Sequence, residues 1–138
     1  FVAGDERVIA ELVELRKHAG MMVSGPVQAA ATAALNDDAH VARTVKTIVE
    51  MRAYVAQRMH GLTAFRMVPG SGANFFLTEI RDPRLDSTLV FNELLKRGVI
   101  VKDGSDIIGL GSKFLRVDVN LQEHMDRFVN ALIDIQGH

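Results

Sequence analysis

A chain of 138 residues gives one domain as the default, and two would each be small. Hydrophobic residues make up 48% and charged residues 24%, with 16 Lys plus Arg against 17 Asp plus Glu and a formal charge of -1. That balance excludes a chain too polar to collapse and a strongly basic nucleic-acid binder, which needs surplus cations against phosphates.

Cysteine is absent, so disulfides, thiolate zinc sites and thiol nucleophiles are excluded, which suits a reducing cytoplasm. No apolar run approaches the roughly 18 residues of a membrane span, and no basic-then-apolar signal opens the chain. A soluble cytoplasmic protein is expected. The chain begins at Phe1, in Phe-Val-Ala-Gly, with no initiator Met and an apolar, strand-like start; it reads as part of a longer polypeptide.

From Asp5 to Ala19, Val8, Leu12, Leu15 and Ala19 fall on one helical face, with Asp5 and Glu6 in the first turn and Gly20 as the stop. Met21 to Pro26 form a break, and Pro26 presets a short helix from Val27 to Leu35. Asp37 or Asp38 can cap the next helix. Its positions Val41, Val45, Ile48, Met51, Val55 and Met59 keep helical spacing to Gly61, about 22 residues and about 33 Å. The texture then changes. Ala64 to Val68 and Ala73 to Ile80 read as strands separated by the turn Pro69-Gly70-Ser71-Gly72, and Arg81-Asp82-Pro83 ends the second.

A helix from Ser87 to Arg97 stops at Gly98, and Val99-Ile100-Val101 reads as a short buried strand. Lys102 to Ser112 reads as an ordered loop. Leu115, Val117 and Val119 alternate with Arg116 and Asp118, the period of a strand with two different faces. Asn120 and Glu123 have capping-box spacing, and Leu121, Met125, Phe128, Leu132 and Ile135 form the buried stripe of a last helix. Three helices, two strands, a helix, two strands and a helix predict an α+β layer: a small sheet of about four strands with helices mainly on one face.

Few motifs carry chemistry. His18, His40, His60, His124 and His138 lack metal-site spacing, so no metal is expected, and no serine stands in a Gly-x-Ser-x-Gly elbow. The Met pairs and Phe75-Phe76 read as core. Gly70-Ser71-Gly72 reads as a turn rather than a phosphate cradle, since no Gly-Lys-Ser/Thr follows. Arg116 stands apart, because a guanidinium inside the apolar strand Phe114-Leu115-Arg116-Val117 is costly unless it meets an anion. It can fork a carboxylate in a cleft; the alternative is an edge arginine facing water or pairing with Asp118.

Several stretches, taken in order, resemble the C-terminal part of a class I/II aminotransferase, a fold-type-I enzyme dependent on pyridoxal phosphate. They are Leu15-Arg16-Lys17-His18-Ala19-Gly20, Val23-Ser24-Gly25-Pro26-Val27-Gln28-Ala29-Ala30, Pro69-Gly70-Ser71-Gly72-Ala73-Asn74-Phe75, Arg97-Gly98-Val99-Ile100-Val101-Lys102-Asp103 and Leu115-Arg116-Val117. The second half is similar to histidinol-phosphate aminotransferases and threonine-phosphate decarboxylases. The Arg-Lys-His-Ala-Gly stretch is similar to succinyldiaminopimelate aminotransferases.

The resemblance implies an aminotransferase small domain over 37–138, preceded over 1–36 by a strand remnant and helices bordering a large domain. It implies pyridoxal 5'-phosphate as cofactor, amino-acid (or amino-phosphate) and 2-oxo-acid substrates, a homodimer, and no nucleic-acid or membrane partner. Arg116 matches the family's substrate-carboxylate arginine; Asn74 and the Met22 to Pro26 loop with Ser24 match positions at the active-site mouth. Lys17, Lys46, Lys96, Lys102 and Lys113 all lie outside the family's Schiff-base context, so no catalytic residue is assigned and these residues alone are expected to be inactive. Arg116 does not distinguish transamination from decarboxylation, which differ in the bond broken at the α-carbon. Without the resemblance, residues 64 to 135 read as a ββαββα module that could bind an amino-acid effector through Arg116.

Overall fold

Capping chemistry sets the helical half of the chain. A computed structural model describes residues 2–137; Phe1 and His138 lie outside the described residues. The chain divides into two compact units, the first ending at Ala42 and the second beginning at Arg43.

In the first unit, α1 (Glu6–His18) starts where the Asp5 side chain accepts from the Arg7 N–H, and ends at Gly20, whose positive φ only glycine adopts freely. The second helix, α2 (Gly25–Leu35), has Pro26 in its first turn, and α3 (Asp38–Met59) begins where Asp37 accepts from the His40 N–H at 2.8 Å. Neither α1 nor α2 buries a residue: Val8, Leu12 and Leu15 are exposed, as are Val41 and Val45 at the start of α3. Met21 and Met22, expected in a core, are exposed too. Val2 to Gly4 form no strand; a strand needs a hydrogen-bonded neighbour, and none pairs with them among the described residues.

The second unit holds the core. Strands β1 (Phe65–Met67), β2 (Phe75–Ile80), β3 (Lys102–Asp103) and β4 (Phe114–Asp118) form one antiparallel sheet in the order β1-β2-β4-β3. Register sets Phe76 against Val117 and Thr78 against Leu115, placing one side chain of every pleat on the same face. That face packs with Val55 and Met59 of α3, Val90 and Leu94 of α4 (Ser87–Lys96), and Met125, Phe128, Val129 and Leu132 of α5 (Gln122–Gln136) in one cluster. Phe76 and Phe128 meet edge to face with ring centroids 6.2 Å apart. The mixed α+β class and the small sheet agree with expectation.

Polar clamps lock the helices. Tyr54 Oη donates to Asp126 Oδ1 at 2.5 Å, Arg58 pairs with the same carboxylate, and Arg58 Nη2 donates to Asn130 at 2.8 Å, joining α3 to α5. A 3-10 turn (Gly104–Asp106) follows β3 and passes so close to β4 that a Cβ on Gly104 would lie 2.1 Å from the Phe114 carbonyl oxygen.

Three local expectations are corrected. The strand after Gly98 is Lys102–Asp103, not Val99–Val101: Ile100 is 80% exposed, and the ladder with β4 begins only at the Lys102–Arg116 pair. Lys102 and Asp103 therefore leave the expected loop. Asn120 does not close a capping box with Glu123, because its Oδ1 accepts from the Leu121 N–H at 2.8 Å and lies 3.0 Å from His124 Nδ1. Leu121 is the N-cap residue of α5, so its side chain precedes the helical stripe and is exposed.

Candidate active site

Alternation along β4 sends Leu115 and Val117 into the core and Arg116 to the opposite face of the sheet. On that face Arg116 is registered against Leu77 of β2 and Lys102 of β3. Phe75 lies diagonally across, and the guanidinium carbon sits 4.7 Å from its ring centroid, within cation–π range. Arg116 Nη2 donates to Asp118 Oδ1 at 3.1 Å, while Nε is buried without a partner. Stem and inner edge are thus held by the sheet, and the outer edge carries the contact with Asp118.

Arg116 and Asp118 line a groove of about 420 Å³ along the β3 edge, together with Ile100, Lys102, His124 and Arg127. Three cations against one carboxylate give that lining a positive balance, which suits an acidic ligand.

Asn74 is exposed immediately before β2, and its carbonyl accepts from the Val119 N–H at 2.8 Å, tying it to the end of β4 beyond Asp118. The structure therefore brings Asn74 and Arg116 to neighbouring strands. Ser24 lies in the other unit, at the N-cap of α2, where its side chain makes no capping bond.

The turn before Asn74 is closed on itself. Ser71 Oγ donates to the Phe75 carbonyl, and Arg52 Nη1 reaches the carbonyls of Ser71 and Ala73, the latter at 3.1 Å. Its polar groups are engaged in shaping the turn. The lysines are also engaged: Lys17 with Glu14 at 2.6 Å, Lys46 with Glu50 at 3.8 Å, Lys96 with Glu93 at 2.6 Å and Lys102 with Asp106 at 2.7 Å. Lys113 donates to the carbonyls of Asp82, Pro83 and Leu85. Among the described residues no cluster of His, Asp and Glu could hold a metal, and no helix is long and apolar enough to cross a membrane.

Two features escaped the sequence reading. Phe75, expected in the core, is half-buried beneath Arg116 while Phe76 takes the core position. The other is Asp103, on the core side of β3. Burial alone would raise its pKa, but donors turned toward it outweigh burial and hold it at about 2. The buried Ser87 hydroxyl, the Ser105 N–H at 2.9 Å and Thr88 Oγ1 at 2.8 Å are the groups that lower it.

Comparison with known proteins places these elements. The family described as aminotransferase class I and II matches residues 1–132. A protein of Mycobacterium tuberculosis named as a probable aminotransferase is 40% identical over 118 residues, which cover 85% of this chain and 27% of that one. The histidinol-phosphate aminotransferase of Methanocella arvoryzae is 36% identical over 109 residues, covering 79% and 28%. Among solved structures, the aromatic aminotransferase of Pyrococcus horikoshii superposes with a TM-score of 0.81 at 22% identity, over 98% of this chain and 37% of that one. The chain thus spans roughly a quarter to a third of the length of the proteins it matches.

Proposed function

The chain belongs to the class I and II aminotransferase family, and on that premise we propose that it forms the C-terminal domain of an aminotransferase in which Arg116 grips the substrate carboxylate. The substrates are an amino acid or amino-phosphate and a 2-oxo acid, and a second copy of the enzyme completes the site. The observation that carries this reading is the guanidinium of Arg116, seated on Phe75 and lining a groove of positive balance. A planar fork fixed in orientation favours two parallel bonds to an acid group, and fixing that group orients the bonds at the neighbouring carbon. Asn74, at the end of the adjacent strand, contributes to the mouth.

Family enzymes draw their electron sink from pyridoxal phosphate. None of the five lysines, Lys17, Lys46, Lys96, Lys102 and Lys113, stands in the family's Schiff-base context, so the covalent anchor is assigned to no residue of this chain. The chain's own contribution is to bind and orient the acid group. Alone, it is expected to give no borohydride-reducible product with pyridoxal phosphate and no conversion of amino acid to oxo acid.

In the enzyme containing this chain, Arg116→Ala is expected to lower kcat/KM by about a hundredfold or more, the scale of removing one partner of a buried charge pair. Arg116→Lys is expected to be damaging too, because an ammonium offers no planar fork. Unchanged kcat/KM in either variant overturns the assignment.

A further inference from the structure

The same face of β4 carries an acid group of its own. Asp118 follows Arg116 by two residues, so the two side chains stand side by side, and Nη2 donates to Oδ1 at 3.1 Å. Nε is buried and Phe75 covers one face of the guanidinium, so contact with an incoming carboxylate is confined to the Nη edge. Asp118 bonds to that edge already. Lys102, the nearest registered cation on the neighbouring strand, is bound to Asp106 at 2.7 Å, and among the described residues Arg116 is the only cation in salt-bridge contact with Asp118.

We propose that Asp118 is a resident competitor for the clamp: it occupies Arg116 in the free protein and yields to the ligand carboxylate, so it sets how strongly an acid must bind to be retained. This rests on the reading of Arg116 as the carboxylate site. Two carboxylates cannot share one guanidinium edge without mutual repulsion, so the occupant tunes selectivity by lowering affinity for every acid that lacks further contacts. The Asp118 side chain is 62% exposed and its bond to Arg116 is single rather than forked, which places the pair among weak, displaceable ion pairs.

The test is made on the enzyme that contains this chain, with 2-oxoglutarate as the probe, following the Arg116 Nε–Hε resonance by NMR at constant ionic strength. Asp118→Asn is expected to bind the probe about threefold to tenfold more tightly than wild type, the scale of an exposed ion pair. Asp118→Ser, which shortens the side chain, is expected to shift affinity in the same direction. Tightening is a result that a merely structural lesion does not produce. Equal or weaker binding in both variants, with the response still abolished by Arg116→Lys, overturns the role of Asp118 and leaves the carboxylate site standing. An Arg116 resonance that the probe does not move in wild type or in Asp118→Asn overturns both.

Discussion

The two faces of the four-stranded sheet are built from alternate residues of the same strands, yet they obey different physics. On one face Phe76, Thr78, Leu115 and Val117 are almost wholly buried against three helices. On the other, Phe75, Leu77, Arg116 and Asp118 keep contact with water, and their interactions are a ring under a cation and an ion pair. A single pleat therefore separates residues that hold the fold from residues that can meet a ligand. Substitutions one position apart should report on different properties.

The sharpest way to break this contrast is Phe76→Ala, which removes a wholly buried ring and its edge contact with Phe128. A loss of about 3–5 kcal/mol in urea unfolding is expected. A loss below about 1 kcal/mol would mean that the core face is not where stability resides. Asp103→Asn tests a polar member of the same face. Its folded pKa of about 2 lies below the ordinary 3.8, so its contribution is present above pH 3.8 and fades as pH falls through about 2. The variant is expected to be less stable than wild type by about 1–2 kcal/mol at neutral pH. The gap should close as urea midpoints are followed down that acid window. Smallest is Arg116→Leu on the open face, expected to move stability by no more than about 0.5 kcal/mol in the same assay. A large loss there would make Arg116 a structural residue.

Local signals were legible where local chemistry decides. Gly20, Gly61 and Gly98 each take the positive φ that ends a helix, and Pro26 opens α2 as its fixed backbone requires. The two-faced character of β4 was legible too, as was the choice facing Arg116 between a ligand and Asp118. Pairing was not. β3 begins immediately after the apolar triplet rather than within it because strands exist where a partner offers hydrogen bonds, and that partner, Arg116, is 14 positions away along the chain. Phe75 and Phe76 have the same side chain, and only the register against β4 assigns one to the core and the other to the arginine. Asp103 went unnoticed because its donors come from residues 88 and 105, which the fold brings together.

Lys113 directs its ammonium at three backbone oxygens in the turn that leads into α4. Amine-acylating reagents need a neutral, unencumbered nitrogen, so of the five lysines this one should be labelled most slowly, and its late acquisition of label would clock the opening of that turn rather than the chemistry of the reagent.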